Sequence, residues 1–219
     1  MDAIIVRSDG PIAMVGAGNV EADDLEIVAE YGNRVVAADG GAHALLAADI
    51  MPDAVIGDMD SADSRLGGAV PADRIHRIDE QDSTDFDKCL RSVEAPLIVC
   101  LGFTGPRLDH TLAVFNALVR HADRPAVVVG ARDLVFHAPA DLKLDLPPGM
   151  RLSLFPMGPV SGRSRGLRWP IDGIDFAPAA RIGTSNEVTG PLRLSFDRPG
   201  MLVITPREAL AAVARALSG

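Results

Sequence analysis

Hydrophobic residues in the first 130 positions form short runs separated by amphipathic stretches, which is typical of strands alternating with helices. Apolar runs predict strands at residues 12–16, 34–38, 54–56, 75–78, 96–101 and 126–129. The first predicted helix spans residues 23–31, with Leu25, Val28 and Ala29 on its apolar side and Gly32 ending it. A second spans 42–48, and a later one ends near His121. This alternation predicts an α/β unit with a mainly parallel sheet and flanking helices, Rossmann-like but without a P-loop.

One helix start is marked by side chains as well as by periodicity. Thr84 is suited to cap a helix, and Asp87 follows three residues later in a capping-box arrangement. Apolar residues then recur at helical spacing, at Phe86, Cys89, Leu90 and Val93. The pattern predicts one buried helix face, with Asp85 and Lys88 together on its flank.

The pattern changes after about residue 138. Short strand-like segments at 141–146, 150–155, 192–196 and 201–205 alternate with turns rich in proline and glycine, and a helical pattern returns at 207–217. We therefore predict an α/β domain over residues 1–138 and a smaller β domain, a sandwich or roll, over 139–219.

Composition excludes several classes of protein. The chain has 219 residues, of which 47% are hydrophobic and 23% charged, as in ordinary globular proteins. Its net charge of -9 argues against a nucleic-acid-binding surface. Cys89 and Cys100 lie in apolar surroundings and are expected to be buried thiols, while no signal-peptide pattern or membrane-length apolar run occurs. We expect a cytoplasmic protein with no membrane partner.

Acidic residues follow several of the predicted strands. Asp58 and Asp60 come shortly after the 54–56 run and Asp39 after the 34–38 run, while Asp82 precedes the Thr84 helix and Asp85 lies in its first turn. Alternate residues of an extended chain point the same way, so Asp58 and Asp60 would repel each other unless a cation lies beside them. A solvated acidic turn is the competing interpretation of that pair alone. A calcium loop is excluded by an aspartate at its sixth position and an alanine at its twelfth, so Mg²⁺ is the favoured ion.

Two basic residues lie close to these acids in the sequence. Lys88 falls in the first turn of the Thr84 helix, and Arg107 follows a glycine-containing turn after the 96–101 strand, where it could hold a phosphate. Asp109 could orient Arg107 or cap the following helix. Gly16-Ala17-Gly18 is either a plain strand-to-helix turn or a phosphate contact, since it lacks the third glycine of a dinucleotide fingerprint.

Six segments together carry a family resemblance. ADGGAH, PDAVIGDMDS, DSTDFDKCL and GFTGPRLDH occur in the order and spacing of thiamine pyrophosphokinase (thiamine diphosphokinase), and GLRWPI and GTSN are similar to its thiamine-domain motifs. The resemblance covers residues 36–186. Two positions depart from the family pattern: His43 replaces a common asparagine, and Pro106 replaces a glycine before Arg107.

The resemblance implies Mg²⁺-dependent transfer of pyrophosphate from ATP to the hydroxyl of thiamine, which gives thiamine diphosphate and AMP. It also implies a homodimer, with thiamine between the β domain of one subunit and the catalytic domain of the other. The implied metal ligands are Asp58, Asp60 and Asp85, with Lys88 and Arg107 on the phosphates. The implied ATP side comprises Asp39, Gly40, Gly41, Asp82, Thr84 and Asp109, and the implied thiamine side comprises Trp169, Ser185 and Asn186.

For Trp169 a place in the β-domain core is the competing interpretation. Two other functions remain open at this point. One is a pyrophosphokinase for another hydroxymethyl heterocycle such as a pterin, against which GLRWPI and GTSN argue. The other is a non-catalytic nucleotide or thiamine sensor, which would not need to keep the acids and Lys88.

Overall fold

The chain forms two compact units, residues Met1–Ala117 and Leu118–Gly219, in a computed structural model that describes residues 3–59 and 66–219. The strands of the first unit are β1 (Val6–Arg7), β2 (Ile12–Val15), β3 (Arg34–Ala38), β4 (Ala54–Gly57), β5 (Ile75–Arg77), β6 (Val93–Glu94) and β7 (Ile98–Leu101). Its helices are α1 (Ala22–Tyr31), α2 (Gly41–Ala47), α3 (Leu66–Ala69), α4 (Asp85–Ser92) and α5 (Leu108–Arg120), the last of which continues into the second unit. A 3₁₀ turn lies at Ala72–Arg74.

A parallel sheet forms the centre of the first unit. β2 pairs with β7 on one side and β3 on the other, followed by β4 and β5, and all four pairings are parallel. Every residue of β2, β4 and β7 is buried, as expected for strands whose two faces are both covered. The carboxyl ends of parallel strands lie at one edge of the sheet, so the residues that follow β2, β3, β4 and β7 are brought together there.

The Thr84 helix forms as its sequence predicts. The Thr84 hydroxyl accepts a hydrogen bond from the Asp87 backbone N–H at 3.3 Å, which caps α4. The predicted apolar face of α4 is buried, with Phe86 2% exposed and Cys89 and Leu90 fully buried, while Val93, predicted as its last member, is buried as the first residue of β6.

Helix α1 differs from its prediction in which side chains are buried. Gly32 ends the helix as expected, and Val28 is buried. Ala29 is exposed and Leu25 only half-buried, whereas Asp24 is buried. Asp24 is held in place because its carboxylate accepts a hydrogen bond from the Glu21 N–H at 2.8 Å.

The second unit is built of antiparallel strands. They are β8 (Ala126–Val129), β9 (Asp133–His137), β10 (Asp141–Leu144), β11 (Arg151–Pro156), β12 (Val160–Leu167), β13 (Asp175–Phe176), β14 (Gly183–Phe196) and β15 (Met201–Pro206). These strands pair in the order β8-β9-β15-β11-β14-β12-β13, and β10 also pairs with β14. A 3₁₀ turn, Arg207–Ala209, leads into α6 (Leu210–Ser218), which packs on β8 and β10.

Three strands of this unit escape the sequence pattern. β12 has two exposed arginines, Arg163 and Arg165, between half-buried glycine and serine residues rather than a continuous apolar run. β9 follows β8 after a short turn, and β13 has two residues. The α/β class with a second, β-rich unit is confirmed. The description as Rossmann-like, the choice between sandwich and roll, and the domain boundary after residue 138 stay predictions.

Both cysteines are free and fully buried, as predicted. Burial raises the pKa of each thiol above its usual range. Among the described residues, no helix is both long and apolar enough to span a membrane.

Candidate active site

Three aspartates from different elements meet at the carboxyl edge of the parallel sheet. Asp39 follows β3, Asp58 follows β4, and Asp85 is the first residue of α4. One carboxylate oxygen from each lies within 4.8 Å of the other two. We call these three residues the acid cluster. Asp60, which the sequence grouped with Asp58, lies outside the described residues.

Backbone features allow the acid cluster to be this compact. Asp39 has a φ of +41°, in the left-handed region that residues with a side chain rarely adopt. Gly57 lies beneath the cluster, where an added Cβ would come within 2.8 Å of the Asp39 Cβ and 3.3 Å of an Asp85 oxygen. A larger residue at position 57 would therefore separate the carboxylates. Strain of this kind is usual where a functional arrangement requires it.

Lys88 supplies a positive charge inside this acidic group. Its Nζ lies 3.1 Å from an Asp58 oxygen and 3.4 Å from an Asp85 oxygen, and its side chain is only 1% exposed. Burial alone would lower the pKa of Lys88, but the hydrogen bond to Asp58 and the charges of Asp85 and Asp58 outweigh it and raise that pKa. Lys88 is therefore a fixed cation at neutral pH.

The pKa of Asp85 is raised, whereas pairing with a positive charge usually lowers the pKa of a carboxyl group. Burial raises the pKa of Asp85, and the nearby charges of Asp58 and Asp39 add to this against the opposing effect of Lys88. One ammonium group thus compensates only part of the negative charge of the acid cluster.

The donor set suits a hard divalent cation. Carboxylate oxygens are the ligands that Mg²⁺ and Ca²⁺ prefer, and three of them within 4.8 Å of one another can contact a single ion. A bound cation would also relieve the repulsion that Lys88 leaves uncompensated. The residues present therefore fit a divalent metal.

A cavity of about 530 Å³ opens beside the acid cluster, a size usual for small-molecule sites. Its wall comes from the first unit: the β2–α1 turn, the ends of β3 and β4, the start of α4, the loop between β7 and α5, and α5 itself. The lining residues are Gly16, Ala17, Gly18, Ala38, Asp58, Ser83, Thr84, Asp85, Phe86, Gly102, Phe103, Thr104, Gly105, Pro106, Arg107, His110 and Val114.

The structure places the predicted ATP-side residues unevenly around this cavity. Thr84 lines it, and Asp39 joins the acid cluster behind it. Gly40 and Gly41 begin α2, where a Cβ on Gly41 would lie 2.1 Å from the Val15 carbonyl oxygen, so that glycine permits close packing. Asp82 is exposed in the loop before α4.

Arg107 reaches the cavity in a pair with Asp109. The guanidinium donates two hydrogen bonds to the Asp109 carboxylate, at 2.6 and 3.3 Å. This hydrogen bonding raises the pKa of Arg107 and lowers the pKa of Asp109. Asp109 was expected either to orient Arg107 or to cap the following helix, and the structure shows the contact with Arg107.

Sequence reasoning missed part of the cavity wall. Phe103, Thr104 and His110 line it, and none of them was assigned a role from the sequence. Gly16, Ala17 and Gly18 also line it, which favours a ligand contact over a plain turn. The available signal was the position of this glycine turn directly after a buried strand, at the same sheet edge as the acids.

The predicted thiamine-side residues come together within the second unit. The Asn186 side-chain amide accepts a hydrogen bond from the Trp169 N–H at 3.1 Å and donates one to the Trp169 carbonyl at 2.7 Å. Ser185, with a φ of +56°, donates its backbone N–H to the Ser153 hydroxyl. Trp169 is 55% exposed, which excludes the core interpretation of this residue, and the Arg168 guanidinium lies 5.0 Å from its ring centroid.

Comparisons with known proteins agree with this arrangement. A family model of the thiamin pyrophosphokinase catalytic domain matches residues 27–129, and one of the thiamin pyrophosphokinase vitamin B1 binding domain matches residues 141–201. The chain is 29% identical to thiamin pyrophosphokinase 1 of Caenorhabditis elegans, covering 70% of this chain and 71% of that protein. It is 28% identical to thiamine pyrophosphokinase 1 of Arabidopsis thaliana, covering 63% of this chain and 58% of the plant protein.

Solved structures show the same fold. Thiamin pyrophosphokinase from Candida albicans superposes with a TM-score of 0.75 at 16% identity, covering 90% of this chain and 88% of that one. The Geobacillus thermodenitrificans thiamin pyrophosphokinase gives a TM-score of 0.71 at 23% identity, covering 92% and 97%. Because the two family models together match most of the chain, in the order in which its two groups of site residues occur, the chain belongs to the thiamin pyrophosphokinase family and is a thiamine pyrophosphokinase.

Proposed function

We propose that the chain transfers the terminal diphosphoryl group of ATP to the hydroxyl of thiamine at the cavity of its first unit. The thiamine oxygen forms a bond to the β-phosphorus, the bond from that phosphorus to the bridging oxygen breaks, and AMP leaves with the electron pair. The hydroxyl proton passes to a carboxylate of the acid cluster. The observation that carries this proposal is the acid cluster with a buried lysine beside a cavity large enough for a nucleotide.

Asp39, Asp58 and Asp85 would hold Mg²⁺ in this proposal. When bound, the ion supplies positive charge for the polyphosphate and lowers the repulsion between it and the incoming oxygen. The family resemblance implied Asp58, Asp60 and Asp85 as metal ligands and placed Asp39 on the ATP side. The 4.8 Å grouping of Asp39 with Asp58 and Asp85 favours a direct role for Asp39.

Lys88 and Arg107 serve the phosphates. Lys88 is held in one position by two carboxylates and by burial, so its charge needs no reorganisation as negative charge develops on the bridging oxygen. Arg107 lies on the exposed side of the cavity, where its contact with Asp109 limits the orientations of the guanidinium. A planar guanidinium can make two parallel hydrogen bonds to phosphate oxygens.

Trp169, Ser185 and Asn186 of the β domain bind thiamine in this proposal. The exposed indole offers an aromatic surface to a heterocycle, and Asn186 fixes its backbone through two hydrogen bonds. The proposed division into residues 1–138 and 139–219 is supported by the limits of the two family matches, 129 and 141, which fall on either side of it.

We propose a homodimer in which one subunit's β domain completes the other's catalytic site. The first unit holds twenty-one of the 30 acidic residues but only eight of the 21 basic ones, so the two units carry opposite net charge. Opposite charges favour contact between unlike units of two copies. Leu108 and Leu112, one turn apart on α5, are 69% and 55% exposed and offer apolar surface to a partner.

Subunit mixing tests the shared site. An Asp58→Asn protein and a Trp169→Ala/Asn186→Ala protein should each be inactive, while a mixture that exchanges subunits should regain activity, since one of the two sites in each mixed dimer is intact. Absence of recovery, with exchange demonstrated and both parents folded, would show that each chain builds its own site.

The central experiment is to incubate the protein with ATP, thiamine and Mg²⁺ and to identify the products. AMP and thiamine diphosphate are expected in equal amounts. Formation of ADP would contradict diphosphoryl transfer, and a pterin alcohol accepted in place of thiamine would favour another pyrophosphokinase. ATP and thiamine binding without any product would identify a sensor. The cytoplasmic location stays a prediction.

A further inference from the structure

Phe103 is held tightly at the wall of the cavity, and although it lies within the GFTGPRLDH segment, the sequence assigned it no role. It follows β7 in the loop that leads to Arg107 and is half-buried. Its ring packs edge-on against the ring of Phe86, with 4.7 Å between centroids and an angle of 68° between planes. Phe86 is only 2% exposed, so it forms a fixed support.

Glycine backbone holds the other side of the Phe103 ring. A Cβ on Gly16 would lie 2.7 Å from two carbons of that ring and 2.7 Å from the Gly102 carbonyl oxygen. Gly102 itself has a φ of +69°, and a Cβ there would lie 2.7 Å from the Gly16 carbonyl oxygen. The Gly18 N–H donates to the Gly102 carbonyl at 2.8 Å, which ties the β2–α1 turn to the Phe103 loop.

The ring therefore lies where a side chain on residue 16 would clash with it, and the lack of a side chain at residue 102 lets the Phe103 loop lie against the Gly16 backbone. Proteins keep such close backbone contacts where a fixed surface is needed, since a side chain held on two sides loses little further freedom when a ligand binds. The same ring lines the cavity together with Phe86 and Val114. An apolar surface thus shares one cavity with Asp58, Asp85 and Arg107.

We infer that Phe103 contacts the nucleoside of ATP, with Gly16 and Gly102 as the positioning residues that fix its ring. A nucleotide is anionic at one end and aromatic at the other, which matches a cavity with charged and apolar parts. Thiamine has no phosphate and is assigned to Trp169 on the β domain. The inference rests on the proposed function only in taking ATP as the nucleotide.

The test separates the nucleoside from the phosphates. Calorimetric titration with Mg²⁺ present and thiamine absent should compare ATP with inorganic triphosphate, on wild type and on Phe103→Leu. The variant should bind ATP about tenfold more weakly, within the range for loss of one stacking contact with a base, and bind inorganic triphosphate within about twofold of wild type. In turnover, KM for ATP should rise about tenfold while kcat and KM for thiamine stay within about twofold.

Two further variants sharpen the result. Gly16→Ala, which displaces the ring, should reproduce the ATP-specific loss; if it fails to fold, Phe103→Leu still decides. Phe155→Leu removes a half-buried ring from β11 in the second unit and should leave ATP and triphosphate binding unchanged.

Unchanged ATP affinity in folded Phe103→Leu would overturn the inference, and so would equal weakening of ATP and triphosphate, which would indicate a structural role. A wild-type protein that forms no AMP but shows the ATP-specific loss in the variant would refute the proposed function and support the role of Phe103.

Discussion

Replacing Lys88 with methionine tests the electrostatic centre of the site most directly. The substitution keeps an unbranched apolar side chain in a place that is 1% exposed, but it removes the ammonium group 3.1 Å from Asp58 and 3.4 Å from Asp85. The acid cluster is then left without its buried cation. Lys143, the other lysine of the chain, is exposed on β10, so Lys143→Met is a matched control.

The expected loss of stability follows from the burial of the partners. Removing one member of a fully buried ion pair costs about 3–5 kcal/mol. The Asp58 and Asp85 side chains are 16% and 36% exposed, so solvent screens the orphaned carboxylates in part. We therefore expect a loss of about 2–3 kcal/mol without metal, or a fall in Tm of roughly 4–12 °C.

Thermal unfolding in chelator and in Mg²⁺, followed by circular dichroism, checks this value. Added Mg²⁺ should raise the Tm of Lys88→Met more than that of wild type, because the metal then supplies positive charge in place of the lost ammonium group. Turnover should nevertheless fall at least about a hundredfold, since the variant lacks a positioned charge on the reacting phosphates. A Tm in chelator within about 1 °C of wild type, or kcat close to wild type, would refute the reasoning.

Three other outcomes are expected. Burial raises the pKa of Asp85, so the folded protein binds a proton there more tightly than the unfolded chain does. Without metal, the unfolding free energy of wild type relative to Asp85→Asn should therefore rise as pH falls through the raised pKa toward 3.8. A difference that stays constant with pH would contradict the shift. Arg107→Ala should raise KM for ATP at least about tenfold. The control Arg198→Ala, which removes another exposed arginine paired with a neighbouring aspartate, should leave that KM unchanged. Equal effects of the two substitutions would contradict a contact between Arg107 and the phosphates. Cys89 and Cys100 should resist a thiol reagent at pH 8 until the protein is unfolded, and rapid labelling of the folded protein would contradict their burial.

The α/β half of the fold was predictable because its strands are buried on both faces. The second strand prediction, residues 34–38, agrees with β3 at both ends, and 126–129 agrees with β8. In the second unit the strands have one exposed face, and the arginine and glycine residues of β12 hide its alternation. β12 is recognised as a strand by its pairing with β14 over most of its length, which composition alone does not show.

The charged residues of the site were predictable from the sequence. Asp58 was noted at the end of a predicted strand, and Asp85 and Lys88 in the first turn of a predicted helix; in the structure the Lys88 ammonium lies within hydrogen-bonding distance of both carboxylates. Phe103 was not predictable, because its role depends on two glycines that are 86 positions apart in sequence and meet only in the folded sheet. A half-buried aromatic residue beside a glycine turn has no distinctive pattern before β2 and β7 are known to be neighbours.

The acid cluster also explains why the residues around it are unusual. Three carboxylates within 4.8 Å repel one another, and a chain selected for stability alone would separate them. Here the left-handed backbone conformation of Asp39 and the missing side chain of Gly57 allow the three carboxylates to stay close together. Lys88 compensates only one of their charges. Repulsion and backbone strain each lower the stability of the protein without metal. Binding a divalent cation relieves the repulsion, so the same features that destabilise the metal-free protein favour the metal-bound state in which a triphosphate can be bound.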